Sequence, residues 1–425
     1  MLWSPRSLAE ECEDHHLFPL HCRLRLRTAM GITITKSLIR NELGKLKDLL
    51  KERDISSAAS ETQKQMDLLE NATLNIAITG MTGAGKSSFV NALREMEDDD
   101  EDAAETGVTQ TTMERKAYQH PTSPKVTFWD LPGIGTAEFP VKKYLEMVKF
   151  SEYDLFIIVA GEHFTEHEIN LAREIQKLKK NFYYVRTKVD VSMDSEKRKR
   201  NFCEEKTLEK IRNDCCKNLI KAGESSPRVF LISRWDLSLY DFPLLQKALE
   251  GGLDDMKRHV LIMSMPTFSR DMLEKKKAAM KELIWSVSFL SCAFGTVPVP
   301  GLSLACDLTI LACIMNRFYK MFGLDEGSLQ RLAKRVGKPV EVLKSAITRT
   351  LHAGEIKRDF VIDCLTRSAL CVTLTGAELV LDFIPMLGSV AGGVLSFVTT
   401  FYLLSSFLDD VVEDAEKVGA KAAER

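Results

Sequence analysis

The chain is 425 residues long, more than the roughly 100–200 residues of a usual domain, so two or three folded units are expected. Lys+Arg 58 against Asp+Glu 60 gives a formal net charge of -2, with 45% hydrophobic and 28% charged residues. That balance excludes a wholly disordered chain and disfavours a basic nucleic-acid coat protein, so no nucleic-acid partner is expected. The mean hydropathy of -0.11 argues against a polytopic membrane protein.

The ten cysteines form no CxxC pair and no Cys/His zinc spacing. The start carries Glu10, Glu11, Glu13 and Asp14 in place of a basic segment followed by an apolar run. No secretory signal is expected, and a reducing, cytoplasmic compartment is.

In chain order, residues 36–70 read as helix, from Leu38, Leu43, Leu46, Leu49 and Leu50 at helical spacing. The period then changes. Leu74–Thr79 alternates as a strand and runs into a glycine-rich turn. Short apolar runs at Lys125–Trp129, Asp154–Ala160, Phe182–Arg186 and Arg228–Ser233 read as further strands, with helices such as Glu166–Lys180 and Glu204–Lys221 between them. The alternation predicts an α/β domain with a mostly parallel, doubly wound sheet covered on both faces. Beyond about residue 252 the strand pattern stops and the chain reads as helix. The expected division is an N-terminal helical segment (1–66), an α/β domain (67–252) and a helical C-terminal domain (253–425).

Gly80-Met81-Thr82-Gly83-Ala84-Gly85-Lys86-Ser87 fits G-x-x-x-x-G-K-[ST] between the first strand and a helix at Ser88–Arg94. Glycines let backbone N–H groups wrap phosphate oxygens, and the helix N-terminus adds positive potential. Lys86 can reach the β and γ phosphates, and the Ser87 hydroxyl can ligate Mg²⁺. Gly80, Thr82, Gly83, Ala84, Gly85, Lys86, Ser87 and Ser88 are the candidate phosphate-binding residues. Asp130-Leu131-Pro132-Gly133 ends the next strand. A carboxylate there can hold a Mg²⁺-bound water, and the Gly133 amide can meet a γ-phosphate.

Thr187-Lys188-Val189-Asp190 follows the strand Phe182–Arg186. An aspartate at that position accepts from guanine N1–H and the 2-amino group. Adenine lacks both donors and would leave the carboxylate unpaired. The Lys188 stem can cover the base, and Ser233-Arg234 offers a further base contact. Three motifs in this order predict a GTPase domain with GTP/GDP and Mg²⁺ as ligands. One of Thr109, Thr111 and Thr112 is expected to complete the Mg²⁺ site. The acidic run of Glu95, Glu97, Asp98, Asp99, Asp100, Glu101 and Asp102 reads as a solvated, flexible loop. Ile134 follows Gly133 where Ras-type enzymes carry a water-orienting glutamine. Slow intrinsic turnover, raised by a partner or by self-association, is the expectation.

Gly80–Ser87 with Ser88–Leu93, Thr112–Arg115, Phe128–Gly135 and Val185–Asp190 resembles the immunity-related, interferon-inducible GTPases. Tyr240–Pro243 and Phe322–Ala333 extend the similarity over about residues 36–350. The resemblance implies dynamin-like behaviour: binding of GTP and GDP, GTP-dependent self-association through the G domain and association with other family GTPases. It also implies action at intracellular membranes enclosing pathogens, and N- and C-terminal helices packed into one helical domain. Lys86 places the chain with the GKS-type members, and by motif position Thr112 is the switch threonine. Lys86, Thr112 and Gly133 are then the catalytic candidates. Gln110 departs from members carrying an acidic residue there, which puts their route to activation in the dimer in doubt.

Ile284–Cys306 and Phe383–Leu408 contain no charged residue and exceed the roughly 18 residues of a membrane-span candidate. Pro298, Pro300 and Gly301 break one, and Pro385, Gly388, Gly392 and Gly393 the other. Two readings stay open: buried helices of the C-terminal domain, or membrane-inserted hairpins with Pro/Gly elbows. Met30-Gly31 begins an N-myristoylation signal only if translation starts at Met30.

Overall fold

In a computed structural model, the described residues are 42, 44–46, 55–107, 114–134, 141–221, 223–237, 239–267, 270–295, 302–350, 356, 358–364 and 391–424. The chain divides into two compact units, one of residues 64–283, 312–356 and 407–425, the other of 1–63, 284–311 and 357–406.

The first unit holds a six-stranded sheet. Its elements are β1 (Leu74–Gly80), α1 (Lys86–Leu93), β2 (Lys116–Gln119), β3 (Val126–Asp130), α2 (Val141–Met147), β4 (Leu155–Ala160), α3 (Glu166–Lys177), β5 (Asn181–Arg186), α4 (Val189–Lys197), α5 (Glu204–Lys221), β6 (Val229–Leu231) and α6 (Phe242–Gly251). The strand order is β2-β3-β1-β4-β5-β6. All neighbours pair parallel except β2, which runs antiparallel to β3. The expected parallel, doubly wound sheet is therefore present. β2 was not anticipated: it is four residues long, lies at the edge and is mostly exposed, so it lacks the apolar alternation that marks a strand.

Two apolar layers cover the sheet. Ile76, Ile78, Phe128, Ile157 and Val185 face one layer with Phe89, Val90 and Leu245. Ala77, Phe156, Ile158 and Tyr184 face the other with Leu171, Ile175 and Leu219. β4, flanked on both sides by strands, is buried at every position, as a strand covered on both faces must be. The chain leaves β1 toward β3 on one side and later toward β4 on the other. That reversal places a crevice at the carboxyl ends of β1, β3 and β4, where ligands of open α/β sheets bind.

The second unit is helical in its described parts. Trp285 stacks on Phe289 and meets Phe397 edge-on, at centroid distances of 5.4 and 6.3 Å. The Ser291 and Ser396 hydroxyls are 2.6 Å apart. Ile284, Phe289, Val394, Phe397 and Leu404 are fully buried. The described parts of the two uncharged segments thus pack as buried helix, and among the described residues no helix is long and apolar enough to cross a membrane. The elbows at 298–301 and 385–388, and Met30-Gly31, lie outside the described residues.

Candidate functional site

β1 ends at Gly80, where a Cβ would stand 2.0 Å from the Val159 carbonyl oxygen of β4. Only glycine lets the chain turn there. Gly85, left-handed at φ 88°, is the N-cap of α1. The loop between them delivers Lys86, Ser87 and Ser88 to the first turn of α1, whose N–H groups have no partner within the helix.

Lys86 is 6% exposed, and its ammonium donates to the Met81 carbonyl at 3.1 Å. Burial holds its pKa below the ordinary lysine value, while the Asp130 and Glu168 carboxylates pull the other way. The ammonium is therefore poised inside the loop that its own chain encircles. The Ser87 hydroxyl donates to Asp130 Oδ2 at 2.6 Å. A hydroxyl beside a strand-end carboxylate is a hard oxygen pair of the kind Mg²⁺ accepts directly or through water, so these residues fit that ion.

Glu168 was missed by the sequence reading. It is fully buried and accepts from the Thr165 N–H at 2.7 Å and the Thr165 hydroxyl at 2.5 Å. Its other oxygen faces the Met81 N–H at 3.4 Å. The signal was there in Thr165-x-x-Glu168, a capping box at the start of α3.

The Asp130–Ile134 loop runs alongside the phosphate loop. The Leu131 N–H donates to Ile78 O at 3.0 Å, and the Ile134 N–H to Gly80 O at 3.1 Å. Met81 and Ile134 form a parallel bridge. At Gly133 a Cβ would lie 2.1 Å from Thr82 Oγ1 and 2.8 Å from the Thr82 nitrogen. Close approach therefore requires glycine, and it sets the two loops against each other. Buried Tyr144 donates to the Pro132 carbonyl at 3.0 Å and shares a 2.9 Å hydrogen bond with the Thr79 hydroxyl. Burial pushes its phenol pKa up, so it acts as a neutral brace. Ile134 is 7% exposed and offers only an apolar side chain at this point.

The second half of the site follows β5. Thr187 is buried, and its hydroxyl donates to Ala84 O at 2.6 Å, with Ala160 O at 3.2 Å. Its hydroxyl is committed to tying this loop to the phosphate loop. Lys188 takes a left-handed φ of 55°, a conformation that strains a residue with a Cβ, and its ammonium donates to Gly83 O at 2.8 Å. Buried Arg186 donates to the Thr187 carbonyl and to Ser192 Oγ, which holds the turn into α4. Asp190 lies in the first turn of α4. Its Oδ1 is buried and meets no hydrogen-bond donor among the described residues. A buried carboxylate oxygen without a partner calls for a donor, of the kind that guanine N1–H and N2–H offer. Ser233 is buried at 1% exposure just past β6.

The structure thus joins Gly80–Ser87, Asp130, Gly133, Thr187 and Lys188 by direct contacts. Thr109–Thr112, Gln110 included, lie outside the described residues. Two expectations change. Arg234 does not present its charge as a base contact: it pairs with Asp98 at 2.6 Å and lies over the Trp235 ring. The acidic run is not simply a solvated loop. Asn91 donates to Asp98 Oδ1 and Ala104 O and accepts from the Ala104 N–H. Arg94 donates to the Asp102 carbonyl, and Lys334 pairs with Asp99 at 2.8 Å. Neutralisation by residues distant in sequence binds this run down, which a count of local charge does not reveal.

A family model described as "Interferon-inducible GTPase (IIGP)" matches residues 40–422. The chain belongs to this family. It is a GTPase. Interferon-gamma-inducible GTPase 10 of Mus musculus is 36% identical over 385 residues, covering 90% of this chain and 89% of that protein. Interferon-inducible GTPase 5 of Rattus norvegicus is 37% identical over 91% of this chain and 84% of its own length. Interferon-inducible GTPase 1 of Mus musculus is 37% identical over 85% of this chain and 84% of its own. The family resemblance read from Gly80–Ser87, Phe128–Gly135 and Val185–Asp190 is confirmed.

Proposed function

We propose that the chain binds GTP across the carboxyl ends of β1, β3, β5 and β6, hydrolyses it, and self-associates in the GTP state to act at intracellular membranes in cell-autonomous defence. In this reading residues 67–252 carry the nucleotide and the helices before and after them carry assembly. The observation that supports guanine as the base is the orphaned Asp190 Oδ1, on the same edge as the phosphate loop.

The residues divide the work. The loop amides from Gly80 to Ser88 and the Lys86 ammonium hold phosphate oxygens and stabilise the charge that develops in the transition state. Gly133 lets its amide approach the terminal phosphate, and Tyr144 keeps that loop in place. Ser87, Thr112 and, through water, Asp130 hold Mg²⁺. When bound, that ion neutralises charge on the β and γ phosphates. Asp190 orients the base and Lys188 covers its face, with Ser233 behind it. Buried Ile134 has no polar atom with which to orient water, which supports activation by a second molecule.

The test is GTP turnover per molecule across a wide protein concentration range, with Lys86→Ala as control. Specific activity that rises with concentration in the parent, and an inert variant, support self-activation. Flat activity near zero with intact GTP binding would instead make the chain a low-turnover switch or scaffold with a separate activator. Membrane action is tested by carbonate and high-salt extraction of the cellular protein. Resistance to both marks an inserted hairpin, and release marks surface association.

A further inference from the structure

The phosphate loop and the Ser233 loop leave strands that are not neighbours. The phosphate loop follows β1, and Ser233 follows β6. β4 and β5 lie between them in the sheet, a separation of three strand spacings, or roughly 14 Å. The Ile232 carbonyl accepts from the Val189 N–H at 3.4 Å, which ties the Ser233 loop to the turn that carries Asp190. Through the sheet, that loop reaches the phosphate side by way of β5 and β4.

One carboxylate of the acidic run makes a direct link. Asp98 accepts from the Asn91 amide at 2.9 Å through Oδ1 and pairs with the Arg234 guanidinium at 2.6 Å through Oδ2. Asn91 is fully buried on α1, the helix that the phosphate loop opens. Arg234 directly follows Ser233. Both ends of the link are fixed by further contacts. Asn91 also donates to the Ala104 carbonyl at 2.9 Å and accepts from the Ala104 N–H at 2.6 Å. The Arg234 guanidinium lies 3.4 Å from the centroid of the Trp235 ring. The Arg234 and Asp98 side chains are 23% and 26% exposed. Water therefore screens this pair less than it does Lys334 and Asp99, which are 51% and 76% exposed.

Asp190 answers the N1–H and 2-amino donors of guanine. The 6-oxo group beside them is an acceptor and calls for a donor. The Ser233 hydroxyl and the loop's backbone N–H groups are donors, and such a bond holds only while the loop stays within roughly half an ångström of its place. We propose that Asp98 is a positioning residue for guanine: by bridging Asn91 and Arg234 it holds the Ser233 loop where the loop can donate to the 6-oxo group. This rests on the reading of Asp190 as the contact to the N1–H and 2-amino edge. Arg234 then acts through its main chain, with its charge spent on Asp98.

Competition of GDP, 6-thioguanosine diphosphate, inosine diphosphate and ADP against a fluorescent GDP analogue on the full chain tests this. The thio compound replaces the 6-oxo oxygen by sulfur, a weaker acceptor. Inosine diphosphate keeps that oxygen and lacks the 2-amino group. In the parent, GDP should bind about tenfold or more tighter than the thio compound, the worth of one buried hydrogen bond. In Asp98→Ala and in Arg234→Ala that preference should shrink to about threefold or less. The double variant should lose no more than either single one, because both break the same link. The preference for GDP over inosine diphosphate, which belongs to Asp190, should stay within about twofold of the parent's. A bridge that serves stability alone would lower the thermal midpoint and every affinity together, with both preferences unchanged. An unchanged thio preference in the variants, no such preference in the parent, an equal fall in both preferences, or additive losses in the double variant would overturn the proposal. Failure of the guanine reading shows separately, as ADP binding the parent as tightly as GDP, and it takes the role of Asp98 with it. Arg234→Ala carries the test should Asp98→Ala not fold.

Discussion

The phosphate half and the base half of the nucleotide site are built on different principles. On the phosphate side each functional group is already held by the protein. Lys86 rests on Met81 O, Ser87 on Asp130, and Gly133 against Thr82. Strand-like backbone pairing between Met81 and Ile134 locks the two loops together. On the base side the Thr187 hydroxyl is committed to the Ala84 and Ala160 carbonyls, and the Asp190 carboxylate keeps one oxygen unmatched among the described residues. In the proposed reading, phosphate binding is thus a property of a backbone path, which many residues maintain, and base choice rests on one carboxylate, which a single substitution removes.

Asp190→Asn should have the largest effect. A site built to hydrogen-bond a group rejects an analogue lacking it by about 10⁴–10⁵, and the substitution should forfeit at least about a hundredfold of GTP affinity. Xanthosine triphosphate, whose 2-oxo group accepts from the new amide, should bind better to the variant than to the parent. Competition against a fluorescent guanine nucleotide measures both, and unchanged GTP affinity would place base recognition elsewhere. Lys86→Ala comes next, with turnover reduced on the order of 10²–10³ through loss of transition-state charge stabilisation. Its melting temperature should not fall, because the variant no longer buries an ammonium; a large fall would mean that Lys86 is chiefly structural.

Gly133→Ala probes the contact between loops. The added Cβ collides with Thr82, and turnover should drop by about tenfold, an effect of misplacing a positioning element. Adding Thr82→Ala should recover only part of that, because the Thr82 nitrogen, 2.8 Å from the new Cβ, remains. Full recovery would assign the whole effect to the hydroxyl. The smallest effect is expected for Thr187→Val, which takes the hydroxyl donor from the Ala84 carbonyl while Ala160 O keeps the Thr187 N–H at 2.9 Å, and should cost about 1–2 kcal/mol of stability in denaturant unfolding. GTP and GDP affinities should fall together; a selective change in guanine over adenine binding would show that Thr187 reads the base.

The sequence made the strongly patterned parts legible. Five strands with apolar runs were readable, as were the glycines at Gly80, Gly83, Gly85 and Gly133. β2 escaped because Lys116–Gln119 is short, polar and stabilised only by pairing with β3. Tyr144 escaped because a lone tyrosine in a helix has no local signature; its role exists only where Thr79 and Pro132 meet it. The acidic run misled because its partners, Asn91, Arg234 and Lys334, come from three different segments.

The uncharged stretches make the same point from the other direction. Composition left Ile284–Cys306 and Phe383–Leu408 open between core and membrane. Packing of Trp285 on Phe397, and of Ser291 on Ser396 across 105 residues of chain, gives their described parts protein neighbours. What the sequence by itself determined was the local grammar: the period of each element, the turns that demand glycine, and the order of three nucleotide motifs. Such features depend on residues a few positions apart, where backbone sterics and side-chain period act directly. Only the tertiary structure could join Ser87 to Asp130 across 43 residues and Thr187 to Ala84 across 103. It alone left Asp190 Oδ1, His120 Nε2 and Arg331 Nε buried without partners among the described residues, because satisfaction of a polar group depends on every element packed around it and not on its neighbours in the chain.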